Sequence, residues 1–212
     1  MCSPIGFRGV SADKISEGFD MSEWDKKRDV MHRYDLTAHI YDTRYAEEQT
    51  AKIEAVIESI NMEKEVTVLD VGCGTGLLFE YVANKAEAIV GLDISRETLL
   101  QAKRHAKKFA NVHLILADSD NVPLKEDVFS HVFALTLIQN TPNPFKTLNE
   151  IKRVSKENAV IIVTGLKKKF PIKAFKRLLH DAGLDVITVK SESLKCHVAV
   201  CTKFFSLNSY EI

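Results

Sequence analysis

The sequence predicts an α/β fold: a mostly parallel seven-stranded sheet with helices on both faces, ending in an antiparallel C-terminal hairpin strand. Three features predict it. Residues 66–77 read Val-Thr-Val-Leu-Asp-Val-Gly-Cys-Gly-Thr-Gly-Leu, a β-branched apolar run that turns through alternating glycines into a helix-forming stretch. Apolar runs then alternate with helical patterns in the way that right-handed parallel crossovers require. Last, two apolar runs after Asp181-Ala-Gly183 are separated by only a short polar stretch, which implies a hairpin.

Taken in order, the first twenty residues carry Gly6, Gly9 and Gly18 among serines and scattered charges, without apolar periodicity. Residues 1–33 are therefore expected as a flexible N-terminal arm and 34–212 as one domain, with Met1 and Met21 both candidate starts. From Tyr34 the pattern becomes helical, and Tyr34, Ala38, Tyr41 and Tyr45 fall on one face. Such a stripe covers something, either the domain itself or a ligand. A second helix follows near Ala46 to Ile60. Strands are expected at about 66–71, 88–93, 112–117, 130–136, 159–164, 185–191 and 197–204, with helices in the gaps.

A length of 212 residues suits a single α/β unit. Formal charge balances overall, yet residues 1–145 hold 16 basic and 23 acidic side chains and residues 146–212 hold 13 and 6. That asymmetry permits a basic face in the C-terminal part. The chain has no apolar run of membrane-spanning length and no secretory leader pattern, which points to a cytoplasmic protein. Cys2, Cys73, Cys196 and Cys201 form no C-x-x-C pair, so reduced thiols and no structural zinc are expected. The seven histidines show no metal-ligand spacing, and His39 is the first to test by mutation.

Glycines at 72, 74 and 76 allow main-chain amides to approach a small ligand closely. A dinucleotide loop wants Gly-x-Gly-x-x-Gly, but position 77 is Leu and the third glycine comes one residue early. This weakens a diphosphate ligand and with it a nicotinamide-dependent dehydrogenase. Sixteen residues beyond Leu77, the run Ala88-Ile-Val-Gly-Leu92 ends in Asp93, where a carboxylate at a strand end can accept both hydroxyls of a ribose. A nucleoside fits without a diphosphate.

On these residues the chain resembles the class I S-adenosylmethionine-dependent methyltransferases, in particular the group with quinone-biosynthesis and small-molecule enzymes, whose fold is Rossmann-like. The likeness rests on Asp70-Val-Gly-Cys-Gly-Thr-Gly76 and Gly91-Leu-Asp93-Ile94-Ser95. It continues through Leu116-Ala-Asp118-Ser119 and Glu150-Ile-Lys-Arg-Val154, over roughly residues 34–204. It implies S-adenosyl-L-methionine as cofactor, held by Gly72, Cys73, Gly74 and Gly76 along its methionine part, with Asp70 orienting the ammonium. Asp93 and Ile94 then take the ribose, Asp118 and the backbone of Ser119 take adenine, and Thr136 to Asn140 floor the pocket. Tyr41, in the pair Tyr41-Asp42, belongs to a helical lid that closes over the cofactor. Plain alternatives stand beside these roles: Asp70 fixing its turn through backbone hydrogen bonds, and Asp118 as an ordinary loop residue.

No catalytic residue is assigned, because a sulfonium methyl is already electrophilic and the protein mainly has to position an acceptor. Gln139-Asn-Thr-Pro-Asn-Pro144 lacks the paired prolines and following aromatic of enzymes acting on amides or exocyclic amines. A small-molecule acceptor is the leading expectation. The alternatives are an RNA or translation-protein substrate, and a non-catalytic S-adenosylmethionine-binding protein. The cluster Lys167-Lys-Lys169 with Lys173, Lys176 and Arg177 motivates the RNA reading and equally suits a phosphorylated metabolite or an acidic protein. Asn140 reads as a hydrogen-bonding group for the acceptor or as a turn former before Pro142.

Overall fold

A computed structural model describes residues 22–203. Its sheet contains β1 (Val66–Val71), β2 (Ala86–Asp93), β3 (Val112–Leu116), β4 (Phe129–Ala134), β5 (Ser155–Leu166), β6 (Leu184–Lys190) and β7 (Cys196–Lys203), in the order β3-β2-β1-β4-β5-β7-β6. The strands from β3 to β5 run parallel, and β7 lies antiparallel between β5 and β6. The expected Rossmann-like sheet is therefore present. The main difference among the strands is that β5 starts at Ser155, four residues early, where it pairs with Phe129.

The strands are apolar on both sides because helices cover both. Leu69, Val71, Val132, Ile161 and Val163 face one way, against Leu148 and Ile151 of α5 (Pro144–Val154) and Phe175 and Leu179 of α6 (Ile172–Asp181). Their neighbours Val68, Phe133 and Ile162 face the other. There they meet Ile53 and Val56 of α2 (Tyr41–Ile57), Phe79 of the short α3 (Phe79–Val82), and Leu99 of α4 (Arg96–Ala106). Asn143 caps α5 by accepting from the Lys146 amide, and Pro144 occupies its first turn, where no amide donor is needed.

The N-terminal region departs from expectation. Helix α1 spans Glu23–Thr37, so residues 23–33, placed by their composition in a loose arm, are helical. The rest of that arm, and Met21 as a start, lie outside the described residues. Helix α1 buries no side chain, which is why no apolar stripe announces it. It starts instead from a capping box, Ser22 accepting from the Asp25 amide while the Asp25 carboxylate accepts from the Ser22 amide. Polar contacts then dock it: Lys27 Nζ lies 2.6 Å from both Asp118 Oδ2 and Asp120 Oδ2, and Asp35 accepts from Ser95 Oγ at 2.5 Å. A short 3-10 turn at Ala38–Ile40 separates α1 from α2. The tyrosine stripe thus straddles a bend, with Tyr34 ending one helix and Tyr41 beginning the next.

Because ions and hydrogen bonds hold α1, Lys27→Met is expected to loosen it without unfolding the sheet. Amide exchange over residues 23–37 should speed up by about fivefold, matching an ion-pair contribution of about 1 kcal/mol, while global melting barely moves. Exchange that rises equally throughout the sheet would contradict this.

Candidate functional site

The glycine loop leaves β1 at the carboxyl end of the sheet and bends beneath β2. Gly72 and Cys73 amides both donate to the Leu92 carbonyl, at 2.7 and 3.0 Å. The Gly74 amide donates to Asp93 Oδ2 at 2.8 Å, and the Ser95 amide donates to Asp93 Oδ1 at 2.9 Å. Asp93 thus ties the glycine loop to the residue that precedes α4. Burial raises its carboxyl above the usual range, against hydrogen bonds from the Ser95, Gly74 and Ile94 amides and the Thr98 side chain that pull it down.

A cleft of about 750 Å³, solvent at its mouth included, lies above this loop and beneath α1. Of the residues anticipated from the sequence, Tyr41, Gly72, Gly74, Asp93, Ile94, Asp118, Ser119 and Thr136 line it. Asp70 and Cys73 line an adjoining recess, shared with Tyr41, Gly72, Gly74 and Thr136. Gly76 lines neither: its Cα faces the ring of Phe79, so its place in the motif is one of packing. Cys73 is 8% exposed, and burial pushes its thiol well above the usual value, which keeps it protonated.

Asp70 is 3% exposed, and its carboxylate accepts no hydrogen bond from any described residue, in contrast to a turn-fixing role. Burial, aided by the charge of Asp93, raises it to about 8. Asp118 accepts from Lys27 on one oxygen and from the Asp120 amide on the other, at 2.6 and 3.0 Å. It is therefore tied to α1 as well as to its own loop. Burial alone would depress the Lys27 ammonium, yet the two carboxylates together hold it above its ordinary value.

The residue after β4 is unusual. Thr136 has φ of +59°, a region in which a β-branched residue is strained. Its amide donates to Thr164 Oγ1 at 2.7 Å, and its hydroxyl accepts from Lys52 Nζ at 2.7 Å and donates to Gln49 Oε1 at 3.1 Å. Gln49 Nε2 in turn donates to Tyr41 Oη at 3.3 Å. This chain runs from a buried ammonium to a tyrosine hydroxyl whose proton is left for the cleft. Burial lowers Lys52 from its usual range; it is 4% exposed, and it donates to two uncharged groups, Gln49 Oε1 and Thr136 Oγ1. Burial likewise raises Tyr41, which keeps its hydroxyl protonated. Asn140 closes the far side, donating to the Thr136 carbonyl and to Tyr34 Oη at 2.8 and 3.0 Å, a role in the wall of the cleft rather than in a turn alone.

Lys27, Gln49 and Lys52 were not anticipated. Each meets a partner more than eighty residues away, and a lone lysine or glutamine on a helix reads as solvated surface. No group of three metal-ligating side chains and no helix long and apolar enough to cross a membrane occurs among the described residues.

A family model described as a methyltransferase domain matches residues 62–198, from before β1 into β7. The chain belongs to the class I S-adenosylmethionine-dependent methyltransferases. This methyltransferase domain is 26% identical over 151 residues to malonyl-acyl-carrier protein O-methyltransferase of Marinomonas sp., which covers 70% of this chain and 56% of that protein. It is 31% identical over 111 residues to a demethylmenaquinone methyltransferase of Staphylococcus saprophyticus, covering 50% and 47%. The chain spans about half the length of these curated relatives. Magnesium protoporphyrin IX methyltransferase from Synechocystis, solved with bound S-adenosylmethionine, superposes with a TM-score of 0.69 at 17% identity. That likeness covers 85% of this chain and 98% of the other, and it concerns the fold.

The cofactor of this methyltransferase domain is S-adenosylmethionine. The residues present fit it: the buried Asp70 carboxyl, with no hydrogen-bond partner among the described residues, would suit an ammonium, and the Asp93 carboxyl lining the cleft would suit vicinal hydroxyls.

Proposed function

We propose that this chain transfers the methyl group of S-adenosylmethionine to a small-molecule acceptor. The single observation that carries the reading is Asp93, half-buried at the end of β2 and lining the cleft, with one oxygen accepting from the Gly74 amide of the glycine loop and the other from the Ser95 amide just before α4. In this reading Asp93 takes the ribose hydroxyls and Asp70 the ammonium. The main chain at Gly72 and Gly74 packs against the methionine part, and Ala117 to Ser119 border adenine. Bound there, the donor supplies an electrophilic methyl: an acceptor lone pair forms the new bond to carbon while the carbon–sulfur bond breaks and its electron pair stays on sulfur.

The chain's own contribution is position and dryness. Helix α1 roofs the cleft and excludes water, Tyr34 and Tyr41 wall it, and the Lys52–Thr136–Gln49–Tyr41 chain aims a hydroxyl donor at the reacting end. The name of the demethylmenaquinone relative agrees with a small acceptor. A cytoplasmic setting matches the buried, unpaired thiols of Cys73, Cys196 and Cys201.

The test is calorimetry with S-adenosylmethionine and its demethylated product. Asp93→Ala should weaken both by about 1.5–3 kcal/mol, the range for hydrogen bonds to a charged group. Equal affinity in the variant would remove Asp93 from the site, and labelled methyl that never reaches a metabolite extract would leave a binding protein without transfer.

A further inference from the structure

A second groove, of about 410 Å³, opens between α1 and the loops that follow β4 and β5. It shares Val30, Asn140, Thr141 and Pro142 with the donor cleft, so a ligand lying in it would reach toward the reacting methyl. Among the described residues its charged walls are Lys26 and Arg33 of α1 and Lys169 beyond β5, and none of those residues lining it is a carboxylate. Arg33 Nη2 donates to Asn140 Oδ1 at 3.2 Å, and its guanidinium carbon lies 5.3 Å from the Tyr34 ring centroid. Lys169 Nζ donates to the Gln139 carbonyl at 2.9 Å. Elsewhere on α1, Lys27 and Arg28 are neutralised by carboxylates. Arg33 and Lys169 are instead held in place by uncharged groups, so their charge stays available to the groove. The Gln139 side-chain oxygen, in the same wall, is buried without a hydrogen-bond partner among the described residues and would accept from a hydroxyl.

We propose that this groove binds a phosphate group on the methyl acceptor, which is a small phosphorylated metabolite. The inference rests on the methyl-transfer reading above and names its substrate class. A phosphate monoester carries close to two negative charges and three acceptor oxygens, which matches cations converging from two sides better than a single carboxylate does. RNA fits less well. The groove is small, and the aromatic pair at hand, Phe170 and Phe175, is packed inward with centroids 6.3 Å apart and Phe175 fully buried, so it offers no base-stacking platform. Of the remaining basic cluster, Arg177 pairs with Asp181 at 3.5 Å on α6.

The experiment uses the full chain saturated with S-adenosylhomocysteine and titrated with inorganic pyrophosphate, read by calorimetry and by the side-chain NMR signals of Arg33 and Asn140. Saturable binding that shifts both signals, and that weakens by about tenfold in Arg33→Gln and again in Lys169→Gln while affinity for S-adenosylhomocysteine holds, supports the proposal. Equal pyrophosphate affinity in those variants overturns it, as does an absence of saturation in the wild type. Single-stranded RNA that binds far more tightly than pyrophosphate and also shifts Lys173 and Lys176 overturns the small acceptor in favour of RNA. Failure of S-adenosylhomocysteine itself to bind would instead strike the donor reading, so the two failures are distinguishable.

Discussion

Asp70→Asn is expected to make the ligand-free protein more stable and its donor binding weaker. The Asp70 carboxyl loses its proton near pH 8 in the folded chain and near pH 4 in the unfolded one. Between those values the folded state holds the extra proton, so stability falls as pH rises, and the loss is complete above about pH 8. A neutral amide removes that dependence. At pH 8 the variant should gain about 2 kcal/mol, or about 5 °C in melting temperature. Binding a cation beside Asp70 lowers its pKa and expels the proton. Donor affinity in the wild type should therefore rise by up to about tenfold per pH unit toward pH 8 and level off above it. In Asp70→Asn the affinity should be flat over the same range and lower than the wild-type plateau above pH 8 by about tenfold or more. Calorimetry across pH 6 to 9 checks both; a wild-type affinity that ignores pH, or a variant that keeps the slope, would falsify the assignment of Asp70 to the ammonium.

Substituting two glycines of one loop should separate folding from binding. Gly76 has φ of +83°, and a Cβ there would stand 2.3 Å from Cε2 of Phe79, a ring that is itself fully buried. Gly76→Ala combines left-handed strain with overpacking, and about 3 kcal/mol of stability should be lost, or about 10 °C in melting temperature. Gly74 has φ of +54° but open space around the missing Cβ, and it lines the cleft. Gly74→Ala should cost only about 1 kcal/mol of stability. Its added methyl should nevertheless weaken donor binding, because it occupies the surface on which the ligand would lie. Thermal melts paired with titrations distinguish the two, and a Gly76→Ala protein that melts like the wild type would refute the packing role.

The sheet was legible because its cause is local. Val66 to Val71 or Phe129 to Ala134 are apolar on both sides, and a short run of that kind between turn signals has few alternatives to a buried strand. The nucleoside end of the site was legible for a related reason: Gly72, Gly74 and Asp93 stand at the ends of adjacent parallel strands, so their distance in space follows from topology. Helix α1 was not legible, since it is held by Lys27, Asp35 and a capping box and not by an apolar face. Nor was the difference between Gly74 and Gly76, which depends on where the Phe79 ring comes to rest.

By itself, then, the order of residues determined the strand and helix succession, the glycine turn and the carboxylates at the strand ends, all of which arise from backbone preference and periodicity within a short window. Tertiary structure decided which polar groups meet. Lys52 reaches a threonine 84 residues away, and Lys27 reaches Asp118 across 91. Charged and hydrogen-bonding side chains carry no periodic signature of their partners, and only the closed fold, by removing water from both members of a pair, gives those contacts their strength.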